Sequence, residues 1–119
     1  PSPGNKNSFS LMGKGINQLD NKKYNQAVTT FDSLIINDPD NKRAIYSRGQ
    51  AYEDLGDYTK AINYYTEFTS IPSNSLMDKV SVSQYNLAYA YFQSKQYSQS
   101  VKYFRKAINS DLDDNSRCD

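Results

Sequence analysis

The sequence has no histidine, no tryptophan and a single cysteine, Cys118, beside its C-terminus. It therefore lacks the nucleophile–base pairs of common hydrolases and any plausible zinc-binding set. Neighbouring carboxylates occur at 53–54 and 113–114, where exposed charge at a helix end or tail is the ordinary explanation. We expect no enzymatic activity, no metal and no cofactor. A lone cysteine cannot form an internal disulfide, so stability must come from packing, and the cellular compartment is left undetermined.

The sequence also lacks an excess of charge of one sign and lacks long hydrophobic runs. Fourteen basic and 13 acidic residues give a net charge of +1, which provides no general attraction to nucleic acid or anionic lipid. No apolar run approaches the roughly 20 residues that span a bilayer. We expect neither nucleic-acid binding nor membrane insertion. The chain begins with Pro1 and has no leader, which predicts a processed or engineered piece of a longer protein.

Aromatic residues, in contrast, are abundant, with 11 Tyr and 5 Phe. The length of 119 residues fits one small domain. Much of its core must be built from rings whose hydroxyls reach a polar rim.

The chain repeats itself. A shift of 34 residues places Gly15 on Gly49 and YNQAVTTF on YTKAINYY, and a shift of 39 places Gly49 on Ala88 and YTKAINYY on YSQSVKYF. The five extra residues of the second shift fall in the segment IPSNS, whose Pro, Ser and Asn favour a turn. Self-similarity at this period is typical of repeat architectures.

Within each unit the apolar residues have helical spacing, as in Tyr24, Ala27, Phe31 and Leu34. Stop signals such as Asp38-Pro39 separate the periodic segments. Six helices are predicted, at about 8–20, 24–37, 42–54, 58–70, 77–93 and 97–110. The predicted organisation is a tail at 1–7, units at 8–41, 42–75 (with a turn extended to about 79) and 80–113, and residues 114–119 as a tail or the start of a truncated further unit.

Small and aromatic residues alternate at matching positions of the units, which predicts close helix packing with rings filling the neighbouring space. The predicted packing residues are Gly15, Tyr24, Ala27, Phe31, Gly49, Tyr52, Tyr58, Ala61, Tyr65, Ala88, Tyr91, Tyr97, Ser100, Phe104 and Ala107.

The second unit, AIYSRGQAYEDLGDYTKAINYY at 44–65, carries the clearest pattern, and residues 8–112 as a whole resemble the tetratricopeptide repeat family. The first unit departs from that pattern at Lys14, Gln18 and Lys22, and the third at Ser100 and Leu112. The resemblance implies an all-α, right-handed α–α superhelix, or solenoid, of three stacked helix-turn-helix units.

In this family the first helices line a concave inner surface where ligands usually bind. The resemblance places nine residues there: Met12, Ile16, Leu19, Tyr46, Gln50, Glu53, Tyr85, Tyr89 and Phe92. This surface is apolar and aromatic, which favours a protein or peptide ligand with hydrophobic anchors. The donors that chaperone-binding members use to grip a C-terminal carboxylate are replaced by Met12, Ile16, Ser47, Val82 and Asn86, which excludes that clamp.

A second interpretation stays open. The chain would be a structural segment of a longer solenoid or a self-association module, with its binding site elsewhere. Tyr85, Tyr89 and Phe92 would then pack against a following helix or against a second copy in a homo-oligomer.

Overall fold

The computed structural model describes residues 3–72 and 80–117, which form six α-helices and no strand. The helices are α1 (Pro3–Asp20), α2 (Tyr24–Asn37), α3 (Lys42–Asp54), α4 (Tyr58–Ser70), α5 (Val80–Gln93) and α6 (Tyr97–Arg117). They form three consecutive hairpins, so the predicted all-α array of three helix-turn-helix units is confirmed. None of the helices in these two ranges is long and apolar enough to cross a membrane.

Two helix ends differ from the prediction. Helix α1 begins at Pro3, before the predicted start at about residue 8. Proline is favoured at the first helical position, because its missing N–H is one that a helix start leaves unbonded. Helix α6 continues to Arg117, because Leu112 stands where Pro39 follows the end of α2 and no helix breaker interrupts the segment. The predicted start of the fifth helix at 77 lies outside the described residues.

The three hairpin turns share one backbone geometry. Lys22, Gly56 and Lys95 occupy the same position of their units, and their φ angles are 61°, 82° and 66°. A left-handed conformation at this position reverses the chain within a few residues. Asp57 precedes α4 and caps it by accepting a hydrogen bond from the Lys60 amide at 3.3 Å.

The core lies between successive helices in two clusters. In the first, Val28 and Phe31 of α2 pack with Ala44 and Ala51 of α3. In the second, α4 packs with α5 through the buried residues Ala61, Ile62, Tyr65, Leu87 and Ala90. Each of these second helices is therefore covered by its own first helix and by the first helix of the next unit.

The predicted packing residues differ in burial. Six are fully buried: Ala27, Phe31, Ala61, Tyr65, Ala88 and Ala107. Gly15, Gly49 and Ser100 are also buried, while Tyr24, Tyr52, Tyr58, Tyr91 and Phe104 are partly exposed. Tyr97 departs from the prediction: its side chain is 55% exposed, and its ring packs at 5.6 Å against Phe92 at the edge of the fold. It is the first residue of α6, where neighbouring helices provide little cover.

Candidate functional site

The three first helices, α1, α3 and α5, carry the nine residues that the sequence assigns to a binding groove. Helix α1 contacts α3, and α3 is joined to α5 by Asn86, whose Nδ2 donates to the Tyr46 hydroxyl. We call the nine residues the first-helix face: Met12, Ile16, Leu19, Tyr46, Gln50, Glu53, Tyr85, Tyr89 and Phe92.

On α1, the residues of this face take part in the core. Met12, Ile16 and Leu19 are partly buried and pack against the first cluster. They therefore leave limited apolar surface for a ligand.

On α3, the face is partly buried and held by polar contacts. The Tyr46 ring lies 5.6 Å from that of Tyr65 and 5.3 Å from that of Phe68. Gln50 Nε2 lies 3.5 Å from the Tyr46 hydroxyl, and the Tyr65 hydroxyl donates to Glu53 Oε1 at 2.7 Å. Burial raises the pKa of Glu53, the bond from Tyr65 opposes this, and the charge of Asp54 adds to it.

On α5, the face is aromatic and exposed. Tyr85, Tyr89 and Phe92 are 37%, 51% and 51% exposed, and Val82, one turn earlier, is 46% exposed. Their steps of three, four and three residues place all four on one side of the helix. We call Val82, Tyr85, Tyr89 and Phe92 the α5 stripe.

Two of the rings in the α5 stripe are fixed by contacts with α6. The Tyr85 hydroxyl donates to Asp111 Oδ2 at 3.1 Å, and its ring lies 6.4 Å from that of Phe104. The ring of Phe92 meets Tyr97 edge-on. The exposed rings are thus held in place without being covered.

Sequence reasoning missed parts of this site. It considered Val82 only as a position that lacks the donor needed for a carboxylate clamp. The spacing of three residues between Val82 and Tyr85 was enough to place Val82 in the stripe. Sequence reasoning treated Asn86 in the same way, whereas the structure uses its amide to join α3 and α5. That contact had no local signal, because it depends on how two units stack.

No group of three or more His, Cys, Asp or Glu side chains that could hold a metal ion occurs within residues 3–72 and 80–117. The polar groups that α3 contributes to the first-helix face are engaged in contacts within the fold: Tyr46 with Gln50 and Asn86, and Glu53 with Tyr65. The arrangement offers contact surface, with aromatic rings as its main component.

Comparison with known proteins gives two matches to family models, both described as tetratricopeptide repeat. They cover residues 12–75 and 82–114. None of the curated proteins matches the chain.

Solved structures that resemble the chain include the TPR domain of Arabidopsis FLU, with a TM-score of 0.82 and 19% identity over 90% of this chain and 96% of that one. The Sgt2 TPR domain from Aspergillus fumigatus has a TM-score of 0.77 and 22% identity over 93% and 68% of the two chains. PcrH, solved in complex with the chaperone binding region of PopB, has a TM-score of 0.77 and 22% identity over 92% and 83%. At these identities the likeness shows the shared fold.

Proposed function

The chain belongs to the tetratricopeptide repeat family, and on this premise we propose that it binds a peptide or protein segment on its first-helix face, along the α5 stripe. Tetratricopeptide repeat domains are in general non-enzymatic scaffolds for protein–protein interaction. We assign this chain no catalytic role and no cofactor.

The observation that carries the proposal is the exposure of the α5 stripe. Three aromatic rings and a valine share one side of a helix, and each side chain is 37–51% exposed. Clustered apolar surface of this kind marks interaction sites in proteins. Tyrosine is also among the residues that contribute most binding energy at interfaces.

The same surface favours a partner with hydrophobic anchors over one recognised by charge. Steps of three and four residues match the apolar side of an amphipathic helix, and rings of this size also accept the side chains of an extended segment. The amide of Asn86 donates to Tyr46, which supports the view that the site is not a carboxylate clamp. The structure of PcrH with the chaperone binding region of PopB is a case of this fold holding a segment of another protein.

The test is affinity capture from the native lysate with the wild-type chain and a Tyr89→Ala/Phe92→Ala variant, followed by mass spectrometry and titration of the captured protein. Both rings are about half exposed, so their removal leaves the core intact. We expect at least a tenfold loss of affinity, the equivalent of about 1.4 kcal/mol.

The matched control is Ile36→Ala, which removes a 78% exposed apolar side chain from α2. It should leave capture unchanged. Tyr46→Ala is a poor choice, because Tyr46 packs on Tyr65 and Phe68 and its loss would disturb the fold. Equal capture by the wild type and the double variant would refute the proposed site.

A further inference from the structure

Glu53 is the one charged residue among the nine of the first-helix face. The equivalent residues of the other two units, Leu19 and Phe92, are apolar, so the repeat itself does not require a carboxylate at this position. Glu53 follows Tyr46 by about two helical turns, which places both on one side of α3. Because the Tyr46 hydroxyl meets Asn86 of α5, this side of α3 borders the helix that carries the aromatic stripe.

The carboxylate of Glu53 is held in position with one oxygen left for a ligand. Of the described residues, Tyr65 is the one whose side chain donates to it, and this bond of 2.7 Å goes to Oε1. The enclosed side-chain polar atom that lacks a partner within residues 3–72 and 80–117 is Arg48 Nε, so Oε2 of Glu53 is not enclosed. The carboxylate is therefore oriented from below by a buried ring and open above.

No ion pair of the described residues involves Glu53. The nearest basic residue along α3, Arg48, is buried and pairs with Asp32, and α5 carries no charged residue. Burial, against the bond from Tyr65, raises the pKa of Glu53, and the charge of Asp54 adds to this. A half-buried charge without a counter-charge is costly, and a basic group at Oε2 would relieve that cost.

We propose that the segment bound on the first-helix face carries a lysine or arginine that pairs with Glu53, beside the hydrophobic anchor that binds the α5 stripe. This inference rests on the proposed function and adds a charge requirement to it. The anchor supplies most of the affinity. The pair with Glu53 determines which segments bind and in which position, because charge complementarity contributes to specificity more than to affinity.

The repeat gives the distance between the two contacts. Glu53 and Phe92 occupy equivalent positions of adjacent units, so they are separated by the usual spacing of packed helices, roughly 8–10 Å. In an extended segment about three residues span this distance. We therefore expect the basic residue about three positions away from the anchor.

A purely structural role for Glu53 makes a different prediction. The equivalents of Tyr65 are Phe31 and Phe104, which have no hydroxyl, so on this interpretation Glu53 is present only to accept the bond from Tyr65. A glutamine accepts the same bond without a charge. Glu53→Gln therefore keeps the structural role and removes the charge, which distinguishes the two interpretations.

The test is selection from a display library of random peptides of about 16 residues, long enough to cross the first-helix face when extended. The targets are the wild-type chain, Glu53→Gln and the matched control Asp54→Asn, which removes the same charge from the next, exposed residue. We expect the wild type and Asp54→Asn to enrich peptides with a hydrophobic anchor and a Lys or Arg at constant spacing from it. Glu53→Gln should enrich anchors without the basic residue.

Fluorescence anisotropy with one selected peptide, and with a twin that has Gln in place of the basic residue, then measures the coupling. On the wild type the twin should bind about three- to tenfold more weakly, and on Glu53→Gln the two peptides should differ by less than about twofold. Tyr89→Ala/Phe92→Ala should weaken both peptides at least tenfold, which tests the proposed function separately. The urea midpoint of each variant checks that the fold is retained.

Two results would overturn the inference and leave the proposed function in place. The first is enrichment of anchors without a basic residue, or with one whose effect persists in Glu53→Gln. The second is an equal loss of the preference in Asp54→Asn, because the general negative charge of α3 would then select the partner. Peptides that bind Tyr89→Ala/Phe92→Ala as well as the wild type, or no saturable peptide at all, would overturn both.

Discussion

Glu53 is a half-buried carboxyl group whose proton affinity is coupled to folding. The Tyr65 hydroxyl, which is fully buried with its ring, donates to Glu53 at 2.7 Å. Burial raises the pKa of Glu53 above its ordinary value of 4.5, against the effect of this hydrogen bond. A raised pKa means that the folded chain favours the protonated form. The stability this group contributes is therefore complete below pH 4.5 and lost as the pH rises through the higher pKa.

Replacing Glu53 by Gln should remove this pH dependence and keep the hydrogen bond, because the Gln carbonyl also accepts from Tyr65. The free energy of unfolding of the variant should increase relative to the wild type between pH 4.5 and 7, measured by urea unfolding at several pH values. Glu53→Ala is the control. It leaves the buried Tyr65 hydroxyl without this acceptor and should cost about 1–3 kcal/mol at every pH. Parallel pH curves for the wild type and Glu53→Gln would contradict the assignment.

The burial of Arg48 could not be predicted from the sequence. Its side chain is buried, pairs with Asp32 and places its guanidinium carbon 3.7 Å from the centre of the Tyr64 ring. The equivalent residues, Lys14 and Leu87, are respectively exposed and buried. The residue type at this position therefore does not determine whether a basic side chain is buried. In α3 the preceding helix offers the carboxylate of Asp32, and that partner is 16 residues away in the chain.

At the scale of the helix, Gly15 and Gly49 allow close contact between the two helices of their hairpins. A Cβ atom built on Gly15 of α1 would lie 2.5 Å from Cε1 of Phe31, so the ring would have to move. Gly13 lies in the same helix and has nothing within 4 Å of such an atom. Substitutions at the two positions therefore distinguish the effect of helix propensity on stability from the effect of packing.

Gly15→Ala should destabilise the chain by about 1–3 kcal/mol, since overpacking outweighs the gain of about 1 kcal/mol in helix propensity. Gly13→Ala should instead stabilise it by about 0.5–1 kcal/mol. Urea midpoints of the two variants measure both effects. Stabilisation of both variants would show that the contact between α1 and α2 is looser than the structure indicates.

Helix ends with strong local signals were predictable from the sequence. Features that depend on contacts between helices were not. Four of the six predicted helix starts and five of the six predicted ends agree with the structure, and α2 (Tyr24–Asn37), α3 (Lys42–Asp54) and α4 (Tyr58–Ser70) agree at both ends. The extension of α6 was missed because the prediction ended the helix at the unit boundary, although no breaker lies there. In the candidate site, the resemblance to the tetratricopeptide repeat family gave the residues of the first helices. It could not reveal that Met12 and Tyr46 pack into the fold while Tyr89 stays exposed.

At the scale of the whole molecule, the two ends of the array differ. Of the 11 large hydrophobic side chains that are exposed in the described part of the chain, eight lie on α5 and α6. Helix α1 instead ends the array with the polar residues Ser10, Lys14 and Asn17. A polar face of this kind disfavours the stacking of another repeat unit on α1. The candidate binding surface, the α5 stripe, is thus on the third unit.

This layout predicts uneven stability along the chain. Each helix packs mainly against its neighbours in sequence, so α3 and α4 are held from both sides while α1 and α6 are covered from one. In arrays of this kind, opening begins at the ends and a local change affects the nearest units most. Hydrogen exchange followed by mass spectrometry should therefore find the slowest amides in α3 and α4. Gly15→Ala should speed exchange in α1 and α2 more than in α5 and α6, and an equal acceleration in all six helices would mean that the three units unfold as one.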